Sequence, residues 1–271
     1  MTAQARGQNP KTRRLRRWRY VLGACLLLVL LVAAYRMAVF QPPIIPPVET
    51  DDRVSLARLH CEKELRSHFA KAGVRWPAGE IFLRGMKREG QLEVWARDRE
   101  GESFRLVQTY SVMAHSGDPG PKRREGDLQV PEGFYEVDRF NPLSAFHLSL
   151  GINYPNASDL ILGDPAAPGF DIFIHGGEAS IGCMAMGDPA IEEIFLAALD
   201  SRARPIHTHL FPARMDAPDW PAWREEQLSA RPGLRAFWEQ LAEGWDRFER
   251  ERRVPVIEVA ADGAYRCQPG R

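Results

Sequence analysis

Between Glu80 and Met215 short apolar runs alternate with turn residues: Ile81-Phe82-Leu83, Leu92-Glu93-Val94-Trp95, Phe104-Arg105-Leu106-Val107, Phe134-Tyr135-Glu136-Val137, Ile172-Phe173-Ile174 and Ile206 to Phe211. Runs this short, punctuated by Gly and Pro, predict β-strands in a sandwich or small barrel-like sheet. Helical spacing surrounds them. Leu56, Leu59, Leu65 and Phe69 recur within Val54 to Ala72, with Gly73 as a stop. Asp188 as N-cap, Pro189 at the first helical position and Ile191, Ile194, Phe195 and Leu199 on one face mark a second helix. Trp220 to Leu228 and Pro232 to Arg252 read as helices, and Val254 to Val259 as a last strand. The polar stretch His115 to Gln129, which contains Arg123-Arg124-Glu125, reads as a long solvated loop near the strand ends.

The N-terminus has a different texture. Val21 to Phe40 is a run of 20 residues interrupted only by Arg36, and at 1.5 Å per residue it matches a bilayer core of roughly 30 Å. Arg36 lies near the end of the run, where a guanidinium snorkels to the interface. Arg6, Lys11, Arg13, Arg14, Arg16, Arg17 and Arg19 precede any acidic residue, so the tail is expected in the cytoplasm and everything after Phe40 outside it. A cleaved signal peptide is the competing reading, but no small-x-small site follows the run. Leu22-Gly23-Ala24-Cys25 sits too early to be a lipoprotein box. Gln-Pro-Pro-Ile-Ile-Pro-Pro-Val from Gln41 to Val48 predicts an extended spacer. The expected division is a basic tail at 1–20, a membrane helix at 21–40, a Pro-rich linker at 41–50, a helical lead-in at 51–79, a catalytic domain at 80–215 and a C-terminal helical extension with a final strand at 216–271.

Composition adds little beyond size. The 271 residues are 44% apolar, enough for one good core, and the formal net charge is zero. No global field would recruit nucleic acid, and none is expected as a partner. Of four cysteines, Cys25 falls in the apolar run and Cys183 in a Gly-rich turn. Cys61 and Cys267 are left as a candidate disulfide, against two unbonded buried thiols.

The chemistry concentrates in Asp171 to Met186, which reads Asp-Ile-Phe-Ile-His-Gly-Gly-Glu-Ala-Ser-Ile-Gly-Cys-Met-Ala-Met. A strand carries His175 to its C-terminal end, and Gly176 and Gly177 leave room for close approach. Cys183 follows eight positions on, a loop long enough to fold thiol and imidazole together. Cysteine needs only modest activation to act as a nucleophile, and an adjacent imidazole supplies it and returns the proton to a leaving amine. The backbone N–H groups of Gly182 and Cys183 are candidate oxyanion donors. By themselves a His-Gly and a Gly-Cys are also met in structural turns and packed cores.

The surrounding text decides between those readings. The region resembles the L,D-transpeptidase catalytic domain (YkuD) family, whose pattern is a His-Gly strand end, a loop, then Ser/Thr-His-Gly-Cys before a helix, and it is most similar to the YafK-like branch. Gly126 to Tyr135 resembles the family's Thr-Pro-x-Gly-x-Phe/Tyr segment. Phe146-His147-Leu148-Ser149, Asn153-Tyr154-Pro155-Asn156, Phe211 to Met215 and the aromatic helix from Phe237 to Phe248 resemble the branch as well, so that the likeness covers most of residues 80–260. There are two departures. Ile181 stands where the wider family has the motif histidine, with Met184 and Ala185 after the cysteine in place of polar residues, and the loop before Cys183 is short.

The resemblance implies an α+β fold, mainly β with added helices, built on an L,D-transpeptidase-like sandwich behind the membrane helix. It implies a murein L,D-transpeptidase in which Cys183 attacks a peptidoglycan stem peptide, His175 moves the proton, and the thioester passes to an amine or to water. A YafK-like hydrolase releasing a wall-attached lipoprotein is the alternative reaction, and a non-catalytic peptidoglycan-binding module the alternative of another class. His147, Tyr154, Gly176 and Ser180 are candidate substrate contacts. No cofactor or metal is expected: His207 and His209 alternate on a strand and read as the polar face of an edge strand in preference to a zinc site. The expected location is the cytoplasmic membrane, single-pass, with the catalytic domain in the periplasm.

Overall fold

The computed structural model describes residues 50–270. The expected basic tail, membrane helix and most of the proline spacer lie outside the described residues, and among those described no helix is long and apolar enough to cross a membrane.

Helix α1 (Thr50–Lys71) ends at Gly73, whose φ of +69° makes the left-handed turn that the sequence anticipates. Its buried stripe is Ala57, Cys61, Leu65 and Phe69, one residue per turn. Leu56 and Leu59, expected on that stripe, face outward, Leu59 at 82% exposure. Charge settles the rotation. Arg58 makes a two-pronged bond to Asp200, at 2.8 and 2.6 Å, and His60 reaches Glu192, so the face that carries 57 and 61 is drawn onto a second helix.

The strands are β1 (Glu80–Met86), β2 (Gln91–Arg97), β3 (Arg105–Ser111), β4 (Gly133–Asn141), β5 (Ser149–Ile152), β6 (Ile172–His175), β7 (Met184–Ala185) and β8 (His207–Phe211). They form one curled sheet in the order β3-β2-β1-β8-β4-β5-β6-β7. Strand β4 is the fold line. Its residues 133–136 pair with β8, residues 137–141 pair with β5, and the register shifts between Val137 and Arg139. The pairs β1–β8 and β6–β7 are parallel, and the others antiparallel.

Both faces of the sheet are covered. Ile81, Leu83, Tyr135, Ile174 and Leu210 pack with α1 and with α3 (Asp188–Asp200). The alternate residues Met86, Phe134 and Phe211 pack with α4 (Trp220–Ala230), α5 (Arg235–Glu251) and the hairpin of β9 (Val256–Val259) with β10 (Tyr265–Gln268). A short helix, α2 (Ala157–Leu162), follows β5. Helix outweighs strand among the described residues, so the class is mixed α+β where mainly β was expected. The C-terminal segment is part of one compact unit with the sheet. Cys61 and Cys267 are free thiols in separate apolar clusters, which corrects the candidate disulfide.

Candidate active site

Strand β6 ends at His175, whose side chain is buried. Nδ1 lies 2.6 Å from the Gly176 carbonyl, so Nδ1–H donates there and Nε2 keeps its lone pair. The Phe146 ring covers the imidazole at 4.6 Å between centroids. Burial pulls the His175 pKa below its ordinary value, against a smaller upward effect of the Gly176 carbonyl. The neutral imidazole is the resting form at pH 7.

Two glycines make the following turn possible. A Cβ on Gly176 would fall 2.6 Å from Asp188 Oδ1 and 2.7 Å from the Phe146 carbonyl, so no side chain fits. Gly177, at φ +71°, donates its N–H to Asp188 Oδ1 at 2.8 Å. Asp188 was expected to cap α3 with its side chain. It makes no such bond, Gly187 occupies the cap position, and the carboxylate holds the turn after His175 instead.

Cys183 sits just before β7. The parallel register pairs Ile174 with Met184 and His175 with Ala185, so Cys183, one residue before that ladder, stands level with Phe173, two residues before His175 on β6. The Phe173 N–H donates to Sγ at 3.4 Å. No hydrogen bond joins Sγ to the imidazole among the described residues. Burial raises the thiol pKa, opposed by the Phe173 amide and the charge of Lys122. Cys183 therefore rests as a thiol at pH 7.

Around Cys183 the turn is held by hydroxyls. Ser180 Oγ donates to the Cys183 carbonyl at 2.5 Å, and Gly182, at φ +86°, gives its N–H to Ser116 Oγ at 2.7 Å. The Gly182 amide is thus occupied, while the Cys183 N–H has no partner among the described residues. Ile181 is 77% exposed. With Leu128 and Phe170 it rims a groove of about 260 Å³ floored by Gly182 and Lys122. A wider depression of about 670 Å³ is lined by Met113, Gly177, Met186 and Asp188, around the turn that follows β6.

The other expected contacts lie elsewhere. His147 turns away at φ +69° and bonds Glu192 at 2.8 Å, against α3. Tyr154 is buried with its hydroxyl on the Pro168 carbonyl. His207 pairs with Glu136, and His209, 2% exposed, packs between Phe82 and Phe134; their strand β8 is interior, not an edge. No group of three metal-ligating side chains occurs among the described residues. Phe146, Asp188 and Ser116 are the site residues that sequence reasoning missed. Only Phe146 carried a signal, its place in the segment similar to the YafK-like branch.

No family model matches the chain. Over 190 residues it is 34% identical to the "Putative L,D-transpeptidase YafK" of Escherichia coli strain K12, covering 68% of this chain and 72% of that protein, and to the same protein of strain O157:H7 at the same figures. The helical cell shape determining protein Pgp2 of Campylobacter jejuni overlays at a TM-score of 0.42 and 19% identity, over 67% of this chain and 73% of its own. Bd1075 of Bdellovibrio bacteriovorus overlays at 0.39 and 19%, over 64% and 60%. Structural overlaps at that level carry no argument about chemistry.

Proposed function

Because the chain belongs to the YafK-like L,D-transpeptidases, we propose that it acts on peptidoglycan stem peptides by acyl transfer through Cys183, with His175 as the proton carrier. One observation carries this reading: the pairing of β6 with β7 brings the Cys183 turn alongside the strand that ends at a buried neutral imidazole, whose Nδ1 is committed to Gly176 and whose Nε2 is open. As a substrate carbonyl reaches Sγ, Nε2 takes the thiol proton and the S–C bond forms. The oxyanion meets the Cys183 N–H. Collapse breaks the C–N bond, the imidazolium protonates the leaving amine, and a thioester remains. An amine or water then attacks the thioester and restores the thiol, and the choice between them separates a transpeptidase from a hydrolase that frees wall-attached lipoprotein. The family resemblance assigns the bond attacked to an L-centre to D-centre peptide at a diamino acid. Domain boundaries follow the same reading, with the apolar run at 21–40 holding the catalytic unit on the outer side of the cytoplasmic membrane.

Incubating the purified protein with sacculi, with and without attached lipoprotein, and analysing the products by mass spectrometry tests the proposal. The expected result is a new cross-link or a released peptide that disappears with Cys183→Ala and with His175→Ala. Undiminished product from Cys183→Ala would refute it, and binding to sacculi without any product would favour the non-catalytic module.

A further inference from the structure

The turn that delivers Cys183 receives no polar support from Ile181, whose side chain is apolar and exposed. Its support comes from a distant segment. Residues Met113 and Ala114 run beside β7: Met113 N–H donates to the Ala185 carbonyl at 2.8 Å, and Ala185 N–H to the Ala114 carbonyl at 3.1 Å. Ala114 and Ala185 form an antiparallel bridge. Continuing that register sets Ser116 opposite Cys183.

The Ser116 hydroxyl has one proton, and it goes to the Leu128 carbonyl at 2.7 Å. Only lone pairs remain for the Gly182 N–H, also at 2.7 Å. The direction of that bond is therefore fixed from both sides. Gly182 holds φ +86°, a conformation reserved for glycine, and a Cβ there would stand 3.3 Å from the Gln129 carbonyl. With the Gly182 amide anchored, the peptide that follows is anchored too, and it carries the unpartnered Cys183 N–H.

We propose that Ser116 is a positioning residue for acyl transfer: by holding the Gly182 amide it keeps the turn in the left-handed form that aims the Cys183 N–H at the developing oxyanion. The inference rests on the acyl-transfer reading above. Ser116 does not touch the reacting carbonyl. A hydroxyl that merely filled the oxyanion position until substrate arrived would act in the opposite sense, since its removal would speed the reaction.

The test compares full-length parent, Ser116→Ala and Ser116→Thr by four measurements: kcat and KM for product release from sacculus-derived peptides, alkylation of Cys183 by iodoacetamide, and amide exchange at Gly182. Alkylation needs no oxyanion donor, so it separates positioning from general damage. Ser116→Ala is expected to lower kcat by about 10- to 100-fold, to leave KM and the alkylation rate within about two-fold, and to speed exchange at Gly182. Ser116→Thr, which keeps the hydroxyl, is expected to restore kcat to within several-fold and to keep the amide protected. An unchanged or raised kcat in Ser116→Ala, or alkylation falling in step with kcat, would overturn the inference while the acyl-transfer reading stands. A parent protein with no Cys183-dependent product would overturn both.

Discussion

At the scale of single residues the site is a pair of neutral groups. Burial lowers the His175 pKa and raises that of Cys183, so each moves away from the charged form at neutral pH. The sign for catalysis follows. His175 is protonated by solvent, and so lost as a base, only below its lowered pKa, so kcat/KM should hold as pH falls to the ordinary histidine value near 6.5 and drop only at more acid pH. Iodoacetamide labelling of Cys183 should stay slow at pH 7 and rise only as pH passes the ordinary thiol value of 9. Fast labelling at pH 7 that is lost in His175→Ala would show a standing thiolate pair in place of two neutral groups. Asp188 gives a second prediction at this scale. Its carboxylate receives the Gly177 N–H, so Asp188→Ala should lower kcat by about tenfold and stability by about 1 kcal/mol, while Asp188→Asn, which keeps an acceptor, should behave like the parent. Equal losses in both variants would show that the carboxylate charge matters and the acceptor does not.

At the scale of elements, strands rich in β-branched and aromatic residues were legible because both sheet faces are buried, as β1 shows with all seven positions inside. Strand β5 escaped notice because Ser149-Leu150-Gly151-Ile152 is short and holds a glycine, and its pairing with β4 and β6 is decided by partners far along the chain. Strand β10, Tyr-Arg-Cys-Gln, is defined by its pairing to β9 and by the aromatic packing of Tyr265 on Phe134. His175 and Cys183 stand out in the sequence through the resemblance of the segments around them, since a glycine beside each is also met in structural turns. Ser116 does not, because its role depends on two loops meeting 66 positions apart. Arg84 shows the same limit in the core. On a fully buried strand, at 1% exposure, it bonds Glu93 at 2.8 Å and Glu249 at 2.6 Å and stacks on Trp245 at 4.0 Å, tying β1 and β2 to α5. Arg84→Met should leave a buried carboxylate short of its main partner and cost about 3–5 kcal/mol. Urea unfolding measures it, and a loss under about 1 kcal/mol would show that Arg214, which also bonds Glu93, is sufficient alone.

At the scale of the whole molecule, the long loop, strand β4 and helix α2 meet on one carboxylate. Asp159, 1% exposed, accepts from Tyr135 Oη at 2.9 Å and Arg123 Nη1 at 3.0 Å, and closes the capping box of α2 with Asn156. Desolvation outweighs these bonds and raises its pKa from 3.8 to about 6. The folded chain therefore binds this proton more tightly than the unfolded chain does, and the stabilisation is full below the unfolded value and lost as pH rises through about 6. Carboxylates held down by cations, such as Glu93 and Asp171, work in the other direction, so the parent's total pH dependence does not isolate Asp159. The comparison with Asp159→Asn does, since asparagine keeps a capping oxygen and does not titrate. Urea unfolding of both proteins at pH 7 and pH 4.5 should show the parent gaining about 2 kcal/mol relative to the variant on acidification. A difference that stays constant between the two pH values would mean that Arg123 and Tyr135 keep Asp159 ionised in the folded protein, and that the junction is held by a charged pair at every pH where the chain folds.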